Sequence, residues 1–266
     1  MLLAAVVSAV LAATAPEGWL QVAEPSEDLV RCASQVGRTW WVSTRAGGVH
    51  IEPKPTPKHD TAGPLPFTLP QEIAEEIPAL GRRHVLAVPD GFLVGFDAGE
   101  FGGALFWLSS NGQRWRKLSD ENVQGLVSLG TREVLVLQGL NHLGLEEGMA
   151  RWFHRGTDSR WTLSAEKKLD AGPEMFTATR DTVYVVTPRS LTRIGRDREV
   201  AVLQKLPNLM LHLNSMTASA DGALWMGMRH FVLRLAPNPT GFSHEWFVPK
   251  DCPRVEIRKY ECECLK

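Results

Sequence analysis

The chain has 266 residues, is 44% hydrophobic and sets 29 Lys and Arg against 30 Asp and Glu. That length holds one large domain or two small ones around a sizeable core. The charge balance argues against a duplex nucleic-acid binder, which needs a basic excess to neutralise phosphates.

The N-terminal run MLLAAVVSAVLAATAP is apolar and small-residue rich through Ala15. A bilayer span needs about 20 apolar residues, so this run is too short to cross. It reads as a signal-peptide core with Ala13-Thr14-Ala15 as an A-x-A cleavage site, a retained apolar strand or anchor being the other reading. The expected organisation is a leader over residues 1–15 and one domain over 16–266, periplasmic or secreted, with no transmembrane span after the leader.

Next comes a strand candidate at 18–23 (GWLQVA), and then five copies of one pattern of strands and turns. The strongest strands are 39–43 (TWWVS), 91–95 (GFLVG), 133–137 (EVLVL), 182–186 (TVYVV) and 223–227 (ALWMG). With Trp41, Leu93, Leu135, Tyr184 and Trp225 taken as equivalent, the spacings are 52, 42, 49 and 41 residues. A third strand follows each: GGVHIEP, GGALFWL, GMARWFH, SLTRIGR and FVLRLAP. Outer, more charged strands follow in four copies: QRWRKLS, RWTLSAEKKL, EVAVLQKL and SHEWFVP. The first copy instead runs into a proline-rich segment, 53–78, in which QEIAEEI predicts a short helical turn. Four-stranded units at this period predict an all-β propeller of about five blades. A last strand candidate, 255–264 (VEIRKYECEC), is expected to close the ring with 18–23 or to pair with it as a partial sixth blade.

The cysteines are Cys32, Cys252, Cys262 and Cys264, which allow three pairings. A Cys32–Cys252 bridge is the expected staple between the two ends. Free thiols are the plain alternative, and the spacing does not suit zinc.

The segments DGALWMG…FVLRL, TWWVSTRAGGVHIEP and DGFLVGFDAGEFGGALFWLSSNGQRW resemble the two-component-regulator type of propeller repeat, roughly D-G-x-L-W-[VI]-G-T-x-x-G-G-L-x-x-[LY]. Asp221, Gly222, Leu224, Trp225 and Gly227 match it, as do Trp41, Val42, Thr44, Gly47, Gly48 and Val49. The third and fourth copies match only in strand rhythm. The resemblance implies a propeller of the kind found in extracytoplasmic sensor regions. It concerns a structural repeat and carries no catalytic residues.

The sequence contains no G-x-S-x-G, H-E-x-x-H, P-loop or G-x-G-x-x-G motif. His142 near Glu146 and Glu147 reads as a solvated loop tip, and His212, His230 and His244 as scattered. Trp40-Trp41 and Phe106-Trp107 put their rings on opposite strand faces, so core packing is the expected role on at least one side. The turns between second and third strands hold Arg45, Asp97, Glu100, His142, Arg189, Arg229 and His230. If all lie on one face, acid gathers on blades two and three and base on four, five and one. Such a split suits a polar or protein partner of complementary charge. The expected function is an exported, monomeric, non-catalytic protein that holds another protein on this face, such as an inhibitor or immunity protein, without metal or cofactor. A ligand-sensing propeller and a propeller lyase or hydrolase are the alternatives.

Overall fold

The computed structural model describes residues 15–33, 37–53, 65–77, 81–142, 145–206, 212–258 and 261–265. The expected leader, apart from Ala15, lies outside the described residues, as do 54–64 of the proline-rich segment.

The chain is an all-β propeller. Blade II is β4 (Arg82–Val88), β5 (Gly91–Asp97), β6 (Gly103–Ser109) and β7 (Trp115–Ser119). Blade III is β8 (Val123–Ser128), β9 (Glu133–His142), β10 (Leu145–Arg155) and β11 (Trp161–Leu169). Blade IV is β12 (Met175–Ala178), β13 (Thr182–Val186), β14 (Ser190–Gly195) and β15 (Val200–Lys205). Blade V is β16 (Ser215–Ala218), β17 (Leu224–Gly227), β18 (Val232–Asn238) and β19 (Gly241–Pro249), with β1 (Trp19–Val22) added outside β19 as a fifth strand. Blade I is the hairpin β2 (Trp40–Arg45) and β3 (Gly48–Pro53). The inner strands β4, β8, β12, β16 and β2 follow one another around the ring.

The strong strands of blades III, IV and V are apolar on both sides because each of these blades is packed between two others. In β9, Val134 and Val136 face Leu93, Leu105 and Phe153, while Leu135 and Leu137 meet Val183, Val185 and Trp152. Period-2 alternation thus splits one continuous apolar run between two interfaces. Blade V does the same: Met226, Leu233 and Trp246 pack toward Val186 and Leu191 of blade IV, and Trp225, Val232 and Phe247 toward Trp40, Val42 and Ile51 of blade I. Trp225 is buried and stacked on Phe247 at 5.6 Å.

Blade I departs from the expected register. Its hairpin matches the repeat, yet β2 occupies the innermost position instead of the second. Val42 N donates to Ser215 Oγ (2.9 Å), the hydroxyls of Thr44 and Thr217 meet at 2.5 Å, and Trp40 N donates to Met228 O (3.0 Å). The rising pairs Val42–Ser215 and Thr44–Thr217 mean that β2 runs parallel to the inner strand β16, as neighbouring inner strands do. On the outer side of blade II, helix α2 (Gln71–Glu76) seats Ile73 and Ile77, with Leu65 and Phe67, against Val94, Phe96 and Phe106. The helical turn expected from QEIAEEI is therefore a lid on that sheet.

Two expectations about the ends are overturned. The terminal strands do not pair with each other: β1 joins β19, and β20 (Arg254–Arg258) folds back on β21 (Glu261–Leu265). Cys32 is bonded to Cys262 rather than to Cys252, which is also disulfide-bonded. The reason is the C-terminal hairpin. It brings Cys262, opposite Ile257, against α1 (Glu27–Ala33), where Leu29 and Val30 share its apolar cluster.

Candidate functional site

Each inner strand begins on the face that also carries the turns between second and third strands. A cavity of about 510 Å³ opens there, at the channel mouth. Blade II supplies Arg82 and Asp97, blade III Gln124 and Asn141, blade IV Glu174 and blade V His212. Arg82 and Asp97 are direct partners in the β4–β5 register. Leu140, Pro173 and Leu213 add apolar wall. The volume falls in the range of small-molecule sites, roughly 300–1,000 Å³.

Amide side chains stitch the rim across blades. Asn141 Nδ2 donates to Gly172 O and its Oδ1 accepts from Gly172 N, both at 2.8 Å, tying blade III to the lead-in of blade IV. Asn122 Nδ2 donates to Gly99 O (2.8 Å), tying blade III to blade II, and Gln124 Nε2 donates to Gly139 O (3.1 Å). Asp97 Oδ1 accepts from Gly99 N (3.1 Å) and holds the β5–β6 turn. These bonds preform the cavity.

Glu174 is the group left over. Its amide is used by Val186 O (2.8 Å), but its carboxyl makes no hydrogen bond or ion pair among the described residues. Burial pushes that carboxyl above the ordinary glutamate range. A carboxyl with a larger neutral fraction can donate as well as accept. Below the cavity, burial and the nearby Arg82 lower the His84 pKa to about 4, against an opposing pull from Asp97. Among the described residues no three His, Cys, Asp or Glu side chains gather as a metal site.

The residues expected on this face divide into four groups. Asp97 lines the cavity. Glu100 pairs with His142 Nδ1 (3.2 Å) between blades II and III, and Arg189 pairs with Glu146 between III and IV while donating to Asp170 O (3.2 Å). The expected split of acid and base is thus turned inward, as clasps between blades. Arg229 and His230 serve the β17–β18 turn. His230 is buried, its amide donates to Arg38 O (2.8 Å), and its ring lies where a Cβ on Gly37 would fall, 1.9 Å away. Thr39 bridges to Arg229, so this turn anchors the chain as it enters β2. Arg45 lies at the opposite end of the molecule, beside the β16–β17 turn, and donates to Glu52 (2.8 Å). Its displacement follows from the inner position of β2.

Sequence reasoning missed Arg82, Gln124, Asn141 and Glu174, and read His212 as one of several scattered histidines. They sit at strand ends and on the lead-ins to inner strands, outside the turns between second and third strands. The available signal was a polar residue at the start of each inner strand.

No family model and no curated protein matches the chain. Among solved structures it is similar to a gluconolactonase of Xanthomonas campestris, at 13% identity over 64% of this chain and 56% of that one, TM-score 0.37. It is also similar to a chain of the S. cerevisiae assembly of dbp5 with nup159, gle1, IP6 and ADP, at 15% identity over 64% of this chain and 48% of that one, TM-score 0.42. The chain thus spans about half the length of the solved chains it matches, and neither likeness bears on the chemistry of the cavity.

Proposed function

We propose that this protein is an exported, non-catalytic propeller that binds a small, neutral, polyhydroxylated ligand at the channel mouth. The observation that carries this reading is Glu174, a partly desolvated carboxyl without a protein partner, facing a preformed cavity lined from four blades. The cavity sets the Arg82 guanidinium against the Asp97 and Glu174 carboxyls, with the Gln124 and Asn141 amides and the His212 imidazole beside apolar wall, a mixture of donors and acceptors that suits a hydroxyl-rich ligand. The Cys32–Cys262 disulfide supports an oxidising compartment, in keeping with the signal-like N-terminus.

The test is calorimetric titration and thermal shift with a panel of neutral mono- and disaccharides and polyols. At least one member is expected to bind and to raise Tm, with affinity falling tenfold or more in Glu174→Ala at unchanged unliganded Tm. A panel without a binder, or a binder indifferent to Glu174→Ala, would sink the reading.

A second reading, a protein partner on the same face, is favoured by Phe101. It is 70% exposed at the tip of the 3-10 turn Gly99–Phe101, beside the cavity. An exposed aromatic can anchor an interface. A protein retained by the wild type and lost with Phe101→Ser, while sugars fail to bind, would move the assignment to this reading.

A further inference from the structure

The outer strand of blade II presents two unlike faces at an open edge. In the β6–β7 register Trp107 pairs with Arg116 and Leu108 with Trp115. Ser109 N donates to Arg114 O (2.8 Å), which carries the ladder one residue beyond β7. Period-2 alternation therefore sends Arg114 and Arg116 to the side of Trp107, toward blade III, and Trp115 to the side of Leu108, toward α2. There Phe106 holds the Trp115 ring edge-on at 5.9 Å and leaves it 37% exposed. On the same side Lys117 is already paired with Glu76 and Asp120. β7 ends its sheet, and among the described residues its outer edge has no backbone partner.

The blade III side of this edge is a cleft of about 740 Å³, on the face of the propeller opposite the channel mouth. Arg155 and Arg160 line it across from Arg114 and Arg116, against only Asp90 and Asp158. Both carboxylates are already engaged. Asp90 takes Arg155 Nε at 2.9 Å and Trp161 Nε1 at 3.3 Å, and Asp158 accepts from Arg160 N at 3.0 Å. Arg116 donates to Trp161 O, which fixes its side chain across the cleft. The exposed Arg114 guanidinium has no hydrogen-bond or ion-pair partner among the described residues. Outer strands carry charge that discourages edge pairing. β11 does so with both signs, Glu166 beside Lys167 and Lys168. At the β7 edge the uncommitted charge is of one sign, so it repels cationic strands and admits anionic ones.

We propose that the outer edge of β7 takes an added strand from a partner protein, an extended segment that alternates acidic and apolar side chains. Its backbone pairs with the free N–H and C=O groups of β7, as in other cases of strand addition. Its acidic residues turn toward blade III and meet Arg114 and Arg116, whose guanidinium forks match carboxylates bidentately. Its apolar residues turn the other way and cover Trp115, since side chains directly opposite one another in neighbouring strands are in contact. One alternating strand thus satisfies the open edge, the cations and the exposed ring together. A single-stranded nucleic acid uses the cations but needs successive aromatic platforms along a basic track, and it cannot pair with a strand edge.

The experiment is fluorescence anisotropy of the full chain with a labelled octapeptide of alternating glutamate and valine. The peptide is expected to bind, and to lose tenfold or more in affinity with Arg114→Glu and threefold or more with Trp115→Ala. Arg254→Glu, which reverses the same charge on the C-terminal hairpin, is expected to leave affinity within twofold. Two further copies of the peptide, one N-methylated at every glutamate and one at every valine, keep the charge and each block one edge. One of the two is expected to bind at least tenfold more weakly than the parent. Arg114 is exposed, so Arg114→Glu decides the matter if Trp115→Ala lowers Tm. No binding, an equal loss with Arg254→Glu, or both methylated copies binding as the parent does overturns the proposal. So does an oligothymidylate that binds as tightly and is indifferent to Trp115→Ala, because the cleft would then be reading charge alone. The neutral-ligand site has its own probes and its own variant, so either proposal can fail without the other.

Discussion

Blades I and V carry the two best copies of the repeat and fold differently. In blade V the motif forms the second strand of a five-stranded sheet. In blade I it forms the inner strand of a hairpin. The two copies also differ in what their arginines do. Arg234 is 6% exposed, donates to Asp221 and Glu245 at 2.6 Å each, and lies 5.7 Å over the Trp225 ring. The Ser219 hydroxyl and Arg234 hold the Asp221 carboxyl down at about 2. In blade I, Arg45 and Glu52 form an exposed pair. Exposed pairs of this kind contribute little. A strand–turn–strand motif therefore encodes a hairpin, but its partners decide the slot it fills and whether its charges matter.

The largest expected effect tests the core of that contrast. Trp225→Ala removes the ring that packs against blade I and supports Arg234, and should cost about 3–5 kcal/mol in denaturant unfolding. Near-wild-type stability would mean that the junction of blades V and I is loose and that the two copies differ less than their contacts imply.

A smaller effect separates that junction from blade II. His84 titrates near 6.5 when unfolded and at about 4 when folded. Between those values the unfolded chain binds a proton that the folded chain refuses. Its contribution is full above pH 6.5 and is lost as pH falls toward 4, roughly 3 kcal/mol in all. His84→Gln should flatten that part of the stability profile relative to wild type, measured by calorimetry at pH 7.5 and 4.5. An unchanged slope would show that His84 is not the group being charged.

The smallest effects probe β2 itself. Thr44→Val deletes the hydroxyl that meets Thr217 and Ala218 O, and should cost about 0.5–1.5 kcal/mol. Arg45→Ala should stay within about 0.5 kcal/mol. A reversed order would place the strength of blade I in its exposed pair and not in its seat on β16. That seat is close: a Cβ on Gly227 would come within 2.4 Å of Trp40 O.

Much of the fold was legible. The 41–52 residue rhythm, the apolar strands such as EVLVL and the turn-forming Asp221-Gly222 specify repeated antiparallel units, because strand period and turn chemistry are local properties. The helical turn in QEIAEEI was readable for the same reason. The candidate site was legible only at Asp97. Arg82, Gln124, Asn141, Glu174 and His212 come together from four blades, and no spacing along the chain records that convergence.

By itself, then, the sequence determined the blade unit and its alternation of faces, which depend on neighbours within a few residues. The tertiary structure alone decided that β2 sits innermost, that β1 extends blade V and that Cys32 meets Cys262. These outcomes depend on which sheet edge lies open, and on where the C-terminal hairpin presses against α1, contacts made between residues as far as 230 positions apart.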